Sequence, residues 1–224
     1  MSAAPAACPF PLPRGARIAV FASGRGSNLA SLLAAFPPSE GTPGRVALVV
    51  SIVPDAPALA RAREAGVPAV QVPWRRGQGS REAFEREAQA ALDRHGIDLI
   101  CLAGFMRILS PGFTERWSGR LVNIHPSLLP AFRGLHAQRQ ALEAGARESG
   151  CTVHLVDAGV DTGRILLQRR VPILPEDSEE ALARRILAQE HRAYPEAVRA
   201  LLRGEAPPKV EDGDVAEERM EETT

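Results

Sequence analysis

The sequence predicts an α/β fold with an open, doubly wound, mostly parallel sheet and an antiparallel C-terminal portion. Short apolar runs alternate with helical segments over residues 17–124, which is the pattern of parallel β-α repeats. A glycine-rich loop follows the first run, where ligands of such sheets bind. Residues 151–156 and 165–171 then read as two strands, and their connection is too short for a helical crossover. These two strands are therefore predicted to pair antiparallel.

The predicted elements follow from apolar runs and from helix-terminal residues. The predicted strands of the parallel part are residues 17–22, 46–53, 69–72, 99–103 and 121–124. The predicted helices are residues 29–36, 56–65 and 80–95, a short helix from Ser110 and Pro111, and a last helix over residues 178–202. The run at 46–53 is apolar almost throughout, as expected of a strand buried on both faces. Ser110 followed by Pro111 is a favourable cap and first-turn pair.

Length and composition favour one domain. The chain has 224 residues, of which 45% are apolar, enough for a sizeable core. We expect this domain to cover residues 15–203. Residues 1–14 are rich in alanine and proline, and residues 204–224 are acidic with few large apolar side chains. The ends are therefore predicted to be a disordered N-terminal extension and a disordered acidic tail.

Charge and cysteine usage exclude several classes of protein. Lysine plus arginine and aspartate plus glutamate both total 27, so no cationic surplus exists for nucleic acid. The only lysine, Lys209, lies in the tail, which argues against Schiff-base chemistry. The three cysteines form no CxxC pair, so neither a zinc cluster nor a disulfide framework is predicted. No signal peptide and no membrane-length apolar run are evident, so we expect a soluble cytoplasmic protein without a membrane partner.

The glycine loop at residues 23–28, SGRGSN, is a candidate anion site. Its Gly-x-Gly spacing lets backbone N–H groups approach an anion at a helix N-terminus. A dinucleotide fingerprint needs a third glycine where Leu29 stands, and no Gly-Lys-Ser/Thr ending is present. Gly26, Ser27 and Asn28 therefore fit a monophosphate better. The alternative is a tight turn that needs glycine for its backbone alone.

The segment at residues 123–130, NIHPSLLP, contains a candidate oxyanion site. Asn123 and His125 are two apart at the end of a strand, so their side chains point the same way. An amide N–H and an imidazole can together stabilise an oxygen that becomes negative as a carbonyl turns tetrahedral. The alternative is a histidine that is satisfied structurally at a strand end.

The loop at residues 157–163, DAGVDTG, contains two carboxylates, those of Asp157 and Asp161. Either can act as a catalytic acid or base, but an exposed polar turn is the more common meaning of such a loop. The spacing matches no standard metal-binding loop.

Four blocks carry a family resemblance. FASGRGSNL, LAGFMRILS, LVNIHPSLLP and the loop at 157–163, in this order and spacing, resemble the phosphoribosylglycinamide formyltransferase family of purine synthesis. The resemblance covers about residues 17–202, and NIHPSLLP is its most specific block. It implies a formyltransferase-like fold, with residues 15–203 as the formyltransferase domain. It also implies 10-formyltetrahydrofolate as donor and the amine of 5-phosphoribosylglycinamide as acceptor, no metal, and a monomer or homodimer.

The resemblance also implies roles for particular residues. Asn123 and His125 would stabilise the tetrahedral intermediate formed by direct attack of the amine, and Asp161 would assist proton transfer. Gly26, Ser27 and Asn28 would hold the phosphate of the acceptor, and Glu190 its ribose. The implied folate site consists of Arg81, Met106, Arg107, Ile108, Leu109, Asp157, Ala158, Gly159, Val160 and Asp161. Within that set, Met106, Ile108 and Leu109 would form an apolar wall for the pterin-like ring.

Three rival functions share some of these features. Formyltetrahydrofolate hydrolases resemble this family but carry a further N-terminal domain and a histidine where this chain has Pro126. Methionyl-tRNA formyltransferases share the Ser-Leu-Leu-Pro block but carry a C-terminal tRNA-binding domain. An inactive folate- or nucleotide-binding module is the third rival, and the intact Asn123, His125 and Asp161 argue against it. Roles for His136 and His154 remain open between structural and supporting.

Overall fold

One eight-stranded sheet organises the molecule. The computed structural model describes residues 12–39, 42–74, 77, 80–205 and 211–212. In chain order the strands are β1 Ala16–Phe21, β2 Gly44–Ser51, β3 Ala69–Gln71, β4 Leu99–Leu102, β5 Leu121–His125, β6 Glu148–Leu155, β7 Ile165–Pro172 and β8 Glu211–Asp212. The helices are α1 Ser27–Ala35, α2 Pro57–Glu64, α3 Ser80–Arg94, α4 Pro111–Arg116, α5 Ala137–Glu143 and α6 Glu179–Arg203.

The strand order is β3-β2-β1-β4-β5-β6-β7-β8. Pairing is parallel from β3 to β5 and antiparallel between β5, β6 and β7, which confirms the predicted fold class. The chain moves outward from β1 in both directions, so the crevice between β1 and β4 is the switch point where such sheets bind ligands. Only β4 separates β1 from β5, which places their carboxyl ends about 10 Å apart at one edge.

Helices cover both faces of the sheet. Along β1, Val20 packs into the core under α1, α2 and α6, and its neighbour Phe21 packs into the core under α3 and α4. The long helix α6 is fixed to the sheet by Tyr194, which is fully buried. Its hydroxyl lies 2.9 Å and 3.1 Å from the carbonyl oxygens of Leu102 and Val122. Because α6 is anchored under β4 and β5, the side chains of its N-terminal half reach the edge that carries the site.

Helix α5 was not predicted from the sequence. Its N-cap residue, His136, has a φ of 60° and makes no side-chain capping hydrogen bond. The usual start signal, a Ser, Thr, Asp or Asn side chain at the cap, is therefore missing. Within the residues that the structure describes, no helix combines the length and the apolar character needed to cross a bilayer.

Parts of the predicted terminal extensions are ordered against the domain. Leu12 is only 5% exposed and belongs to the core under α1 and α6. Glu211–Asp212 pair in parallel with β7. Most of residues 1–14 and 204–224 lies outside the described residues, so the disorder assigned to them stays a prediction.

The β6–β7 connection is closed tightly at its base. The N–H of Leu155 donates to the carbonyl of Arg164 over 2.9 Å, and the chain passes Gly163 at the same point. A Cβ on Gly163 would stand 1.8 Å from the carbonyl oxygen of Leu155. This backbone approach admits only glycine, and it determines the course of the loop at 157–163.

Replacement of Gly163 by alanine should destabilise the fold. The added methyl group meets backbone rather than a movable side chain, so we expect a loss of about 1–3 kcal/mol in the free energy of unfolding, measured by denaturant titration. Gly112→Ala is the matched control, because a Cβ there has only the Ser110 hydroxyl at 4.0 Å. The control should change stability by less than about 1 kcal/mol. Equal effects of the two substitutions would contradict this account.

Candidate active site

The end of β5 presents two polar side chains on one face of the sheet. Asn123 and His125 point away from the core under α6, into which Ile124 between them packs. His125 is only 5% exposed, and Asn123 is half-buried. The predicted juxtaposition of these two side chains is therefore present at the carboxyl edge of the sheet.

The neighbouring strand β6 adds a second histidine to this face. His154 lies opposite Asn123 in the antiparallel register and is 2% exposed. Its Nδ1 is 2.9 Å from the carbonyl oxygen of Leu155, so Nδ1 carries a proton. Its Nε2 lies 3.2 Å from Nδ2 of Asn123 and 3.5 Å from Oδ1 of Asp161. In the neutral ring Nε2 accepts a hydrogen bond from the Asn123 amide, and in the charged ring it donates to Asp161.

Asp161 reaches both histidines from the β6–β7 loop. Its backbone adopts a φ of 51°, a left-handed conformation that aspartate tolerates better than most residues. Oδ2 lies 3.3 Å from Nδ1 of His125 and accepts the backbone N–H of Gly134 over 2.9 Å. Burial acts to raise the pKa of Asp161, but hydrogen bonds from His154 and Gly134 and the charge of His125 outweigh it and hold the pKa below its ordinary value. The carboxylate is therefore ionised at neutral pH.

The imidazole of His125 is held between two acceptors. Its Nε2 lies 2.9 Å from the carbonyl oxygen of Phe132, and its Nδ1 faces Asp161. Both neighbours favour the charged ring, but burial and, to a smaller degree, the charge of His154 outweigh them and lower the pKa of His125 below its ordinary value. The unliganded site thus combines an ionised carboxylate with a mainly neutral imidazole whose protonated form already has two hydrogen-bond partners.

The glycine loop lies at the same edge, at the start of α1. Gly26, the N-cap of α1, has a φ of 72°, and a Cβ on it would approach Ala58 to 3.1 Å. The positive φ favours glycine, and the space beside Ala58 is tight for a side chain. No side chain caps α1, so its first backbone N–H groups, beginning at Ser27, have no capping partner there. Oδ1 of Asn28 and Oγ of Ser23 are buried and make no hydrogen bond within the described chain. The loop therefore has the donors and the conformation of the predicted phosphate cradle.

Glu190 joins the glycine loop from α6. It is 7% exposed, and its Oε2 accepts the Nδ2–H of Asn28 over 2.7 Å. Burial raises the pKa of Glu190, and the Asn28 hydrogen bond only partly offsets this rise. A buried carboxyl with one side-chain donor is suited to receive hydroxyl donors from a ligand.

The predicted folate residues fall on two exposed segments and one helix. Met106 and Ile108 are 73% and 65% exposed in the β4–α4 loop, whereas Leu109 is 6% exposed and packs in the core under α3 and α4. The guanidinium of Arg107 lies over the ring of Trp74, 5.4 Å from its centroid. Leu109 thus supports this loop from beneath and does not present an apolar wall.

The remaining predicted folate residues are Arg81 and the β6–β7 loop. Arg81 lies in the first turn of α3, beside Glu82 at 3.7 Å, and its Nε is buried without a hydrogen-bond partner among the residues that the structure describes. In the β6–β7 loop, Asp157 accepts from the N–H of Gly159 and the hydroxyl of Thr162, which orders the turn before Asp161. Ala158 and Val160 are exposed.

Several contacts at the site had no signal in the sequence. The carbonyl of Phe132 and the N–H of Gly134 are backbone groups, and any residue type supplies them. His154, whose role the sequence left open, contacts Asn123 and Asp161. His136 is exposed at the start of α5.

The side chains favour acyl-group transfer without an enzyme nucleophile. Burial raises the pKa of Cys101 to about 12 and also raises that of Cys151, so neither is a reactive thiolate. The described residues contain no group of three or more His, Cys, Asp and Glu side chains arranged to hold a metal ion. The site offers an amide donor, an imidazole and a carboxylate, which can stabilise an oxyanion and move a proton.

The chain is similar in sequence to formyl transferases and to proteins of purine biosynthesis. The formyl transferase family model matches residues 16–198. Phosphoribosylglycinamide formyltransferase of Escherichia coli (strain K12) is 46% identical over 178 residues, which is 80% of this chain and 83% of that protein. The trifunctional purine biosynthetic protein adenosine-3 of Drosophila melanogaster is 52% identical over 194 residues, or 86% of this chain. The chain spans only 14% of the length of that trifunctional relative.

Solved structures agree with the sequence relatives. The crystal structure of glycinamide ribonucleotide transformylase 1 from Symbiobacterium toebii superimposes with a TM-score of 0.77 at 48% identity, and covers 84% of this chain and 88% of that one. Phosphoribosylglycinamide formyltransferase from Brucella melitensis gives a TM-score of 0.77 at 45% identity, over 85% and 96% of the two chains. The chain therefore belongs to the formyl transferase family and, within it, to the phosphoribosylglycinamide formyltransferases.

Proposed function

We propose that the chain transfers the formyl group of 10-formyltetrahydrofolate to the amine of 5-phosphoribosylglycinamide in de novo purine biosynthesis. The observation that carries this proposal is the cluster at the end of β5, in which Asn123, His125 and Asp161 meet within hydrogen-bonding reach of one another or of His154. Two relatives of which the chain covers 83% and 88% are named phosphoribosylglycinamide formyltransferase, which supports the acceptor and the formyl group, and the folate donor is what the resemblance of the four sequence blocks implies. The proposal includes a cytoplasmic location and a monomer or homodimer.

The reaction begins with attack of the acceptor amine on the formyl carbon. A new C–N bond forms, and the formyl oxygen gains negative charge in the tetrahedral intermediate. When the His154 ring is neutral, Asn123 uses one N–H of its amide for Nε2 of His154, and its second N–H is available to the oxyanion. A donor of this kind contributes about 3–4 kcal/mol to the transition state. The bond to N10 of the folate then breaks, and the carbonyl reforms on the acceptor.

The proton moves in the opposite direction to the formyl group. The attacking nitrogen loses a proton, and the departing N10 gains one. His125 is mainly neutral before reaction because burial lowers its pKa, so it can take up the proton that the attacking nitrogen loses and then give it to the departing N10. The charged ring then donates to both Phe132 and Asp161. In this proposal Asp161 keeps its negative charge and stabilises the proton in transit.

Two further segments bind the substrates. The phosphate of the acceptor lies against Gly26, Ser27 and Asn28 at the N-terminus of α1, and Glu190 contacts the ribose. The folate lies against the backbone of residues 106–109 and the loop at 157–161, with Arg81 and Arg107 supplying positive charge. Met106, Ile108 and Val160 offer exposed apolar surface for the ring.

Formyl transfer should depend on the phosphorylated amine. Incubation with 10-formyltetrahydrofolate should release tetrahydrofolate rapidly only when 5-phosphoribosylglycinamide is present, followed by absorbance and by mass of the formylated product. The dephosphorylated acceptor is the matched control and should react far more slowly, because it cannot occupy the phosphate cradle. Equal release of tetrahydrofolate without any amine would support a formyltetrahydrofolate hydrolase. Formylation of methionyl-tRNA would support a methionyl-tRNA formyltransferase.

Asp161→Asn should lower kcat by about 10²–10⁴-fold, because the neutral amide no longer stabilises the charged imidazole. KM for the acceptor should change little, since the glycine loop is untouched. Asp93→Asn makes the same chemical change on the surface of α3 and should leave kcat within twofold. A kcat of Asp161→Asn within tenfold of wild type, with both variants folded by circular dichroism, would refute the assigned role.

The titration of His125 should respond to Asp161. In the wild-type protein the midpoint should lie below 6.5, because burial dominates, and Asp161→Asn should move it lower still by removing a nearby negative charge. The measurement is the pH dependence of the ring ¹⁵N and ¹H resonances. Asp93→Asn alters a carboxylate on the surface of α3 and should leave the midpoint unchanged. A wild-type midpoint above 6.5 would show that the ion pair outweighs burial.

A further inference from the structure

A row of polar side chains crosses three strands beneath the catalytic histidine. His125 on β5 lies opposite Thr152 on β6, and Thr152 lies opposite Gln168 on β7. Residues opposite one another in an antiparallel sheet share a face, so the row is continuous. Thr152 is fully buried and Gln168 is 9% exposed, although neither side chain takes part in the chemistry proposed above.

The hydroxyl of Thr152 is saturated with hydrogen bonds. It donates to the carbonyl of Ser127 over 2.6 Å and accepts from the N–H of Leu129 over 3.0 Å and from Nε2 of Gln168 over 2.9 Å. One O–H and two lone pairs are thereby all used. Nε2 of Gln168 also donates to the carbonyl of Leu129 over 2.9 Å. The side chains of the row therefore hydrogen-bond to the backbone of the loop after β5 at two residues, Ser127 and Leu129.

The loop after β5 also contacts the ring of His125. Ser127 donates its hydroxyl to the carbonyl of Ala131 over 2.6 Å, which closes the loop internally. The next residue, Phe132, adopts a φ of 55° and places its carbonyl oxygen 2.9 Å from Nε2 of His125. A chain of hydrogen bonds thus runs from the Gln168 amide through the loop backbone to the imidazole.

We propose that Gln168 is a positioning residue for formyl transfer, which acts through Thr152 and the loop at residues 126–132 to fix the imidazole of His125. This inference rests on the proposed function. The plain alternative is that the row is only a structural brace, since buried amides and hydroxyls need partners wherever they occur. A positioning role predicts that removal of the Gln168 amide from a folded protein changes the environment of the His125 ring. A structural brace predicts no such change.

Gln168→Met keeps the length of the side chain and removes both N–H donors. The carbonyl of Leu129 then loses its hydrogen bond from the Gln168 amide, and the loop shifts. The Phe132 carbonyl is then no longer held at one position relative to the His125 ring. We expect kcat to fall about 10- to 100-fold, since small misplacements of catalytic groups have effects of this size. KM for the acceptor should stay within about threefold, because the glycine loop and Glu190 are not part of the row.

The control variant is Gln89→Met on α3. Gln89 also uses both ends of its amide, donating to Asp93 over 2.7 Å and accepting from Trp117 over 2.9 Å. Within the described residues, its side chain forms no hydrogen bond to the row or to the loop at residues 126–132. The substitution removes the same group from a partly exposed position and should leave kcat within twofold.

A pair of substitutions at Thr152 provides the second arm. Thr152→Ser keeps the hydroxyl and should retain kcat within about threefold, whereas Thr152→Val keeps the shape, loses the hydroxyl and should reproduce the loss seen in Gln168→Met. This pair decides the question even if Gln168→Met fails to fold, because valine and threonine are nearly equal in volume.

The deciding readout is the ring of His125, followed by its ¹⁵N resonances and their titration in each folded variant without substrate. Gln168→Met and Thr152→Val should shift these resonances and move the midpoint down, since the Phe132 hydrogen bond favours the charged ring. Unchanged resonances with a lowered melting temperature would overturn the proposal and leave a structural brace. Because the ring readout needs no turnover, it decides this inference even if the wild-type protein fails to transfer formyl groups, which would overturn the proposed function separately.

Discussion

The antiparallel pairing of β6 with β5 is the constraint on which the site depends. Its register sets His154 opposite Asn123 and Thr152 opposite His125, so four polar side chains share one face of the sheet. A shift of one residue would turn His154 and Thr152 into the core and bring Cys151 and Val153 to the site. The apolar face of β6 under α6 holds the register in place, because Cys151 and Val153 are fully buried there.

The parallel half of the fold could be predicted because its signals are local. Each apolar run is followed by a helix, and strands such as β2 are buried on both faces, so the run alone identifies the strand. The contact between Asp161 and His125 is different in kind. It depends on the left-handed backbone at Asp161, on the close passage at Gly163, and on the N–H of Gly134 from another loop. None of these leaves a periodic pattern, so only the family resemblance placed Asp161 beside the histidine.

The burial of Leu109 could not be predicted from the sequence. Three of the four residues at 106–109 are large and apolar, so the exposed Met106 and Ile108 could not be separated from Leu109 by residue type alone. Packing separates them, because Leu109 leads into Ser110, whose N–H and hydroxyl are both bound by Glu85 of α3 at 2.6 Å. That anchor draws Leu109 into the core under α3 and leaves the preceding residues of the loop at the surface.

The carboxyl groups of Asp161 and Glu190 differ because both their burial and their partners differ. Asp161 has a backbone N–H and two histidines around it, and its pKa lies below the ordinary value. Glu190 is buried more deeply with Asn28 as its donor, and its pKa is raised. A carboxyl in that state lacks donors, and each hydroxyl group of a bound ligand that donates to it favours its charged form. Under the proposed function, the ribose of the acceptor supplies such hydroxyls at the point where its phosphate meets the glycine loop. The burial that makes Glu190 costly in the free protein is then what makes it selective, because a ligand without hydroxyls at that position leaves the carboxyl without the partners it needs.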